Sequence, residues 1–393
     1  MANRDVQPLE AHRHSLRRLF APVAMAVLLC HASVATVAAA QPAYRFIPLE
    51  SLGGTFSNAL GLNNHGDIVG QSFTRSDLNQ HATQWKVAAN GAVTGPIDLG
   101  TLGGSYSAAE AINDKGQVVG YSATAEGPTR ATTWKNGQIA ALPTLGGLHS
   151  FARDINNAGQ IAGQSDTGAY TPIGGNIYHA TRWDNGVPMD LGTLGGTHSA
   201  GLAINARGEV VGDSLAARGS NLGNQATLWS EGAATRLDIA RFSIATAVND
   251  KGQVVGYEGG GRAFLWDNGV TTLLPGGWGG QAYDINNVGQ IIGAGGSGAG
   301  PVLWEGGTMT ELNSLLDDES RAAGWTVLEA NAINDHGWIV GVASNSDYVY
   351  WGDSRIAYLM MPVPEPATVL LMLAGLAAIA TAVNHRRSNV MRS

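Results

Sequence analysis

Hydrophobic residues in this chain recur in short runs that alternate with small or polar residues, the period-two pattern of half-buried β-strands. The clearest example is Ala111–Gly120, AINDKGQVVG, in which two apolar runs flank an Asn-Asp-Lys-Gly turn. Related stretches occur seven times, about 45 residues apart, the spacing of propellers and related arrays. Their asparagines are Asn63, Asn113, Asn156, Asn205, Asn249, Asn286 and Asn334.

The second repeat shows the strand pattern most clearly. It predicts strands over 107–112, 117–121, 130–134 and 138–142. The turn between the first two holds Asn and Gly, and an Asn-Gly dipeptide, typical of a type I′ hairpin, joins the last two. Four antiparallel strands per repeat are typical of one propeller blade.

Seven such repeats predict an all-β fold, a seven-bladed β-propeller of four-stranded blades. The seventh repeat ends at its third strand, Ile356–Met360, so its fourth strand is missing. Tyr44–Leu49 precedes Leu-Gly-Gly just as fourth strands do elsewhere, and we expect it to close the last blade. A stacked β-solenoid is the alternative fold.

Two columns within each first strand indicate how it packs. The residue before each repeat asparagine is always aliphatic, and the residue three positions earlier is always Ala or Gly. We expect these columns to lie on opposite faces of the innermost strand, gripped between neighbouring blades. The glycine that ends each second strand indicates a close backbone approach.

Loop lengths distinguish the two faces of the predicted ring. The asparagine turns are constant in length, whereas the loops between second and third strands vary widely. Because those loops share a face with the connections between blades, we expect recognition there, opposite the asparagine turns.

The N-terminal residues 1–40 predict a secretory signal peptide. Basic residues precede an apolar core, and Ala38-Ala39-Ala40 offers a cleavage site before Gln41. Whether export is of the Sec or twin-arginine type stays open. The single cysteine, Cys30, lies in this signal, so we expect a repeat domain over 41–362 without disulfides.

The segment 363–393 predicts a sorting signal. Val363, Pro364, Glu365 and Pro366 precede an uncharged apolar run at 367–383, which Arg386 and Arg387 follow closely. This order closely resembles the PEP-CTERM signal of Gram-negative bacteria, and the resemblance implies recognition by an exosortase and transient residence in the inner membrane. A plain C-terminal membrane anchor is the alternative.

The repeat region also resembles the HAF-repeat extracellular proteins, over roughly residues 44–366. The residues that carry the likeness are Asp190–Gly196, Ala203-Ile204-Asn205 and Arg262-Ala263-Phe264. The fifth repeat lacks Leu-Gly-Gly, and the segment Asn313–Gly324 before the seventh departs from the pattern. The resemblance implies secretion and surface display but assigns no reaction.

Candidate chemistry is confined to four charged residues on predicted first strands, near the central channel. They are Glu110, Arg153, Asp154 and Asp284. The two aspartates share equivalent columns and could hold a cation or form an acid–base pair, but bonding to backbone or solvent is the simpler interpretation. No spacing typical of a metal site, cofactor site or catalytic triad occurs.

Charge and signals together favour a surface protein. Residues 41–362 hold 16 Lys and Arg against 28 Asp and Glu, which disfavours nucleic acid as a partner. We expect a secreted, non-enzymatic binding or matrix component associated with exopolysaccharide or the cell envelope. The alternative is an extracellular polysaccharide lyase or hydrolase that uses the channel carboxylates.

Overall fold

The computed structural model describes residues 44–88, 90–219, 223–345 and 355–363. Within them the protein is all-β apart from two short helices between the last two repeats, as the period-two pattern predicts. The predicted signal peptide at 1–40 lies outside the described residues.

The strands follow the predicted order of four per repeat, preceded by one N-terminal strand. The first fourteen are β1 (Tyr44–Leu49), β2 (Gly53–Leu62), β3 (Asp67–Thr74), β4 (Gln80–Val87), β5 (Val93–Gly100), β6 (Gly103–Ile112), β7 (Val118–Thr124), β8 (Thr129–Lys135), β9 (Gln138–Ala141), β10 (Ser150–Ile155), β11 (Ile161–Tyr170), β12 (Asn176–Asp184), β13 (Val187–Asp190) and β14 (Gly195–Ile204).

The second half of the chain continues the same order and contains the helices. Its elements are β15 (Val210–Ala216), β16 (Asn224–Ser230), β17 (Ala233–Arg236), β18 (Ser243–Val248), β19 (Val254–Glu258), β20 (Arg262–Asp267), β21 (Val270–Leu273), β22 (Gln281–Ile285), β23 (Ile291–Ala294), β24 (Pro301–Glu305), β25 (Thr308–Glu311), α1 (Leu312–Leu315), α2 (Asp318–Ala322), β26 (Trp325–Ile333), β27 (Ile339–Asn345) and β28 (Arg355–Pro362).

Strand pairing is antiparallel within each repeat. β10–β13, β14–β17, β18–β21 and β22–β25 are separate four-stranded sheets. A larger sheet of twelve strands contains three more such groups. The described strands of these groups are joined only by single parallel bridges, one between β2 and β28 and one between β4 and β6. The hydrogen-bonded pairing between described strands therefore does not run around a closed sheet.

The last of these groups contains the N-terminal strand. β1 pairs antiparallel with β28, with Phe46 opposite Met360 and Leu49 opposite Ala357. This is the pairing predicted from the sequence. It places Tyr44, the first residue of β1, directly opposite Pro362, the last residue of β28.

The repeats are linked head to tail by their asparagines. The Asn113 Oδ1 atom accepts hydrogen bonds from the N–H groups of Lys115 and Gln117, which fixes the turn. Its Nδ2 atom donates to the carbonyl of Asn156, the asparagine of the next repeat. All seven asparagines repeat this bond at 2.9–3.3 Å, and the last, Asn334, donates to the first, Asn63.

We call these seven buried residues the asparagine ring. Its bonds close a cycle through the whole repeat region, although the sheet pairing does not.

The predicted placement of the two packing columns is wrong. Ala59 lies opposite Gly70 and Leu62 opposite Ile68, and residues 68 and 70 share one face of β3. The small and aliphatic columns therefore lie on the same face, because a bulge in β2 absorbs one residue between them. The same shift recurs in the first strand of every repeat.

The glycine at which each second strand was expected to end lies inside that strand, and it does allow the expected close approach. A Cβ atom on Gly212 would lie 1.9 Å from the Ala200 carbonyl oxygen, and one on Gly120 would lie 2.0 Å from that of Ala108. Only glycine permits this spacing between first and second strands.

Candidate functional site

The bulge positions define a ring of side chains that the sequence did not predict. In each first strand one residue between the small and aliphatic columns has no partner on the neighbouring strand. All seven of these residues line one cavity of about 210 Å³. We call them the bulge residues: Leu60, Glu110, Arg153, Leu202, Thr246, Tyr283 and Asn331.

The four predicted site residues meet in this cavity. Glu110 and Arg153 are bulge residues, and Asp154 and Asp284 line the same space one position further along their strands. The remaining lining is apolar or uncharged, with Leu60, Leu202 and Thr246 among its members.

Glu110 and Arg153 form an ion pair between neighbouring repeats. The Arg153 Nη1 atom lies 3.3 Å from the Glu110 Oε1 atom, and the guanidinium lies over the rings of Tyr121 and Phe151. Burial raises the pKa of Glu110, although the positive charge of Arg153 acts in the opposite direction. The pair is partly buried, so we expect its removal to matter more for packing than a surface pair would.

Asp154 and Asp284 each join two repeats through the backbone. The Asp154 carboxylate accepts from the N–H of Ile155 at 2.7 Å and from the N–H of Ile204, in the next repeat, at 2.8 Å. Asp284 accepts in the same way from Ile285 and Ile333, both at 2.8 Å. In each aspartate one carboxylate oxygen accepts from a backbone N–H of its own repeat, and the other accepts from a backbone N–H of the next repeat.

Burial raises the pKa of both aspartates. For Asp284 it reaches about 6, because burial and the negative charges of Asp154 and Asp335 outweigh the hydrogen bonds from Ile333 and Ile285. The pKa of Asp154 is raised for the same main reason, against the hydrogen bonds from Ile204 and Ile155. These carboxylates therefore combine a structural contact with a tendency to hold a proton.

The raised pKa of Asp284 predicts a pH-dependent contribution to stability. Its folded pKa of about 6 exceeds the reference value of 3.8, so the folded state binds the proton more tightly than the unfolded state. The stabilising effect is fully present below pH 4 and is lost as the pH rises through 6. The change amounts to about 3 kcal/mol at most.

The variant Asp284→Asn isolates this effect. It does not titrate but replaces one acceptor oxygen by an NH2 group facing a backbone N–H, so we expect it to be less stable than the wild type at pH 4. The difference in unfolding free energy between wild type and variant should narrow by about 1 to 3 kcal/mol between pH 4 and 7, as measured by urea unfolding. Asp318→Asn, at a fully exposed side chain, serves as the control. A gap independent of pH would contradict the prediction.

A second cavity, of about 190 Å³, opens at the asparagine ring. Around it, the residue that follows a ring asparagine donates its backbone N–H to a side-chain oxygen of the next repeat, in six of the seven repeats. The donors and acceptors are Asn64 to Asp114, Asp114 to Asn157, Ala206 to Asp250, Asp250 to Asn287, Asn287 to Asp335 and Asp335 to Asn64. These polar groups satisfy one another, which makes this face a scaffold.

The opposite face carries the loops and exposed aromatic rings. We call it the loop face: the side of the connections between second and third strands and between repeats. Phe242 is 49% exposed and Trp278 is 63% exposed there. Sequence reasoning predicted variable loops on this face but did not single out these two rings.

The predicted sorting residues fall mostly outside the structure. Val363 is exposed at the end of the last described segment. Pro364, Glu365, Pro366, Arg386, Arg387 and the apolar run 367–383 lie outside the described residues. None of the helices in the described ranges has the length and apolar character needed to cross a membrane.

Comparison with known proteins identifies the C-terminal segment. Residues 362–387 match the family model of the PEP-CTERM protein-sorting motif. This confirms the predicted exosortase signal and implies a secreted protein that is sorted to the cell surface. No curated protein matches the chain. The HAF-repeat likeness is not shown by these comparisons and stays a resemblance.

Two solved structures resemble the chain at 12% sequence identity. The β-propeller domain of the Trilobed protease from Pyrococcus furiosus, described as having an open velcro topology, has a TM-score of 0.43, with 64% of this chain and 78% of that chain covered. The Pyrococcus horikoshii acylaminoacyl peptidase has a TM-score of 0.37, with 75% of this chain covered. The match spans 59% of that peptidase.

These neighbours correct one prediction. The expectation of a non-enzymatic protein is wrong, since both similar structures come from peptidases. At this level of similarity they assign neither a reaction nor a substrate to this chain.

Proposed function

We propose that this protein is a surface-displayed, seven-bladed β-propeller that binds exopolysaccharide or cell-envelope material through its loop face. It is exported across the inner membrane of a Gram-negative bacterium, held there transiently by 367–383, and sorted by an exosortase-type enzyme. The observation that carries the proposal is the sorting motif at residues 362–387. The resemblance to HAF-repeat extracellular proteins supports the same destination.

The seven-blade assignment is supported by two features. Each repeat contributes one antiparallel group of four strands, and in the last group β1 provides the fourth. The asparagine ring joins the groups in a closed cycle of seven hydrogen bonds. A stacked solenoid would have no reason to join its last repeat to its first.

The binding role is supported by the difference between the two faces. The asparagine-turn face is uniform, and its polar groups bond to one another. The loop face varies in length and exposes aromatic rings such as Trp278, so it offers groups for recognition. Surface sorting would bring this face into contact with extracellular polymers.

A second candidate function is an extracellular polysaccharide lyase or hydrolase. It is supported by two carboxylates with raised pKa values, Asp154 and Asp284, in one cavity. Their hydrogen bonds to backbone amides favour the structural role instead. Polysaccharide turnover that Asp154→Asn abolishes without unfolding the protein would establish the catalytic alternative.

Removal of the tail tests the proposal. We expect deletion of 363–393 to shift the protein from the cell surface to the periplasm or medium, while the repeat region keeps its β-sheet circular dichroism. Fractionation and immunoblotting measure the shift. A matched control replaces Val187, an exposed residue of β13 far outside the sorting motif, by alanine and should leave sorting intact. Unchanged localisation of the deleted form would refute the sorting role.

A further inference from the structure

The loop face carries two aromatic rings on either side of one short turn. Phe242 lies in the connection before β18, and Trp278 lies in the connection before β22. Between them is the turn Gly259–Gly261, which joins β19 to β20. It is the shortest of the loops between second and third strands.

The glycines of this turn make room for both rings. A Cβ atom on Gly259 would lie 2.5 Å from Phe242 Cβ, and one on Gly260 would lie 2.1 Å from Trp278 Cζ3. The Phe242 ring extends from there to Gly223, in the loop before β16, where a Cβ atom would lie 1.9 Å from Phe242 Cε1. Any other residue at 259 or 260 would displace a ring.

An arginine supports each ring. The Arg262 guanidinium carbon lies 5.0 Å from the centroid of the Trp278 ring, and that of Arg241 lies 5.6 Å from the Phe242 ring. Arg262 is in turn paired with the largely buried carboxylate of Glu258. These contacts hold the rings in place, while about half of Phe242 and two thirds of Trp278 remain open to solvent.

The exposed area is too small for a stable protein interface. An aromatic side chain presents about 150–250 Å² when fully exposed, so these two, about half and two thirds exposed, offer on the order of 250 Å². A specific protein interface needs about 800 Å² from each partner. Sugar rings, in contrast, stack one at a time, because their C–H faces fit the electron-rich face of an aromatic ring.

The net charge of the repeat region favours an uncharged sugar polymer over a negatively charged one. Residues 41–362 carry an excess of acidic over basic residues, 28 against 16, which repels a polyanion at long range. Arg262 is already neutralised by Glu258. An uncharged pyranose chain meets no such repulsion.

We propose that Phe242 and Trp278, on either side of the Gly259–Gly261 turn, form a stacking site for an uncharged polysaccharide. The inference rests on the proposed polysaccharide binding and assigns it to one repeat. Stacking on each ring holds a different part of the polysaccharide, and glycines rather than larger residues lie against both aromatic side chains.

The test is affinity electrophoresis of the full-length chain in mild detergent, in gels containing hydroxyethyl cellulose, dextran or alginate. We expect retardation by at least one of the two neutral polymers. Trp278→Ala and Phe242→Ala should each raise the dissociation constant obtained from the retardation tenfold or more. Trp278→Phe should raise it less. Val288→Ala is the matched control, because Val288 is also 63% exposed but lies in an asparagine turn.

Each outcome decides a separate point. Retardation that both alanine variants retain would overturn the stacking site but leave the proposed function standing. Retardation by alginate alone would have the same meaning. No retardation by any polymer would count against both. If gel filtration showed a dimer that Trp278→Ala dissociates, the rings would be a protein interface and the inference would be wrong. Unchanged melting temperatures of the variants exclude misfolding as the cause.

Discussion

Replacement of Asn249 by alanine is expected to lower the free energy of unfolding by about 3 kcal/mol or more. The Asn249 Oδ1 atom accepts from the N–H groups of Lys251 and Gln253, and its Nδ2 atom donates to the carbonyl of Asn286 in the next repeat. The side chain is only 4% exposed, so water cannot easily replace these partners. Total stabilities of 5 to 15 kcal/mol make such a loss severe.

A second substitution separates the turn from the link between repeats. Asn249→Asp keeps the oxygen acceptors for the turn but places an oxygen where Nδ2 donates to the Asn286 carbonyl. Because Nδ2 also donates to the Gln253 Oε1 atom within the turn, the comparison is made in the Gln253→Ala background. If the cyclic bond matters, aspartate should cost about as much as alanine at pH 7. If only the turn matters, aspartate should be nearly neutral.

Urea unfolding followed by tryptophan fluorescence measures both effects. Asn268→Gly is the control, since Asn268 is an exposed hairpin residue whose positive φ of 47° suits glycine equally well. We expect that control to change stability by less than about 0.5 kcal/mol. An Asn249→Ala variant as stable as the control would contradict the role assigned to the asparagine ring.

The local parts of this fold were predictable because turn chemistry is local. The Asn-Gly dipeptides predicted type I′ hairpins, and Asn136 and Asn185 adopt the positive φ that such turns require. The pairing of β1 with β28 was predictable because Ile356–Met360 matches other third strands and Tyr44–Leu49 matches fourth strands.

The contacts between repeats were not predictable in the same way. The turn accounts for the asparagine oxygen and, in five repeats, for a side-chain acceptor of Nδ2 four residues further on. The carbonyl that Nδ2 also reaches lies 37 to 50 residues away for six of the seven asparagines. Only the relative orientation of two repeats brings that carbonyl within reach. Spacing along the chain carries no information about that orientation.

The bulge residues show why the candidate site was only partly predicted. Two columns three residues apart suggest opposite faces in a regular strand, and a bulge reverses that conclusion. A useful signal was present nonetheless: the buried columns keep their character in every repeat, whereas the position after the small residue ranges from Leu60 to Arg153. Such variation is typical of a residue without a packing partner.

The irregular segment Asn313–Gly324 also has a structural explanation. The Asp317 Oδ2 atom accepts from the N–H of Phe46 at 3.1 Å, and the Asp317 N–H donates to the carbonyl of Tyr44. Leu316 forms a bridge with Tyr44 as well. The segment that breaks the repeat therefore covers the outer edge of β1, which would otherwise be an unpaired strand edge.

Removal of the β1 side chains is the other change from which we expect a large effect. Phe46 packs against Tyr358 and Trp325, with ring centroids 5.4 and 5.0 Å apart, in the last repeat. Leu49, on the same strand, belongs to a buried cluster with Trp85 and Ala59 of the first repeat. β1 thus joins the first and last repeats through side-chain packing.

We expect Phe46→Ala to cost about 3 to 5 kcal/mol and Leu49→Ala about 2 to 5 kcal/mol. Together they approach the whole stability of a typical domain, so the double variant should unfold or aggregate at 25 °C. Thermal and urea unfolding measure the single variants. Val187→Ala on β13, where the side chain is 66% exposed, is the control and should have little effect.

A disulfide tests the pairing of β1 with β28 by strengthening it instead of weakening it. Arg45 and Met361 face each other across the β1–β28 pair, and facing residues of antiparallel strands have Cα atoms about 4.5–5.5 Å apart, within disulfide reach. With Arg45→Cys and Met361→Cys we expect the oxidised protein to be about 2 to 4 kcal/mol more stable than the same variant reduced. The comparison is internal, because the only native cysteine, Cys30, lies in the predicted signal peptide. If alanine at Phe46 and Leu49 were harmless and the disulfide failed to form, β1 would not close the ring.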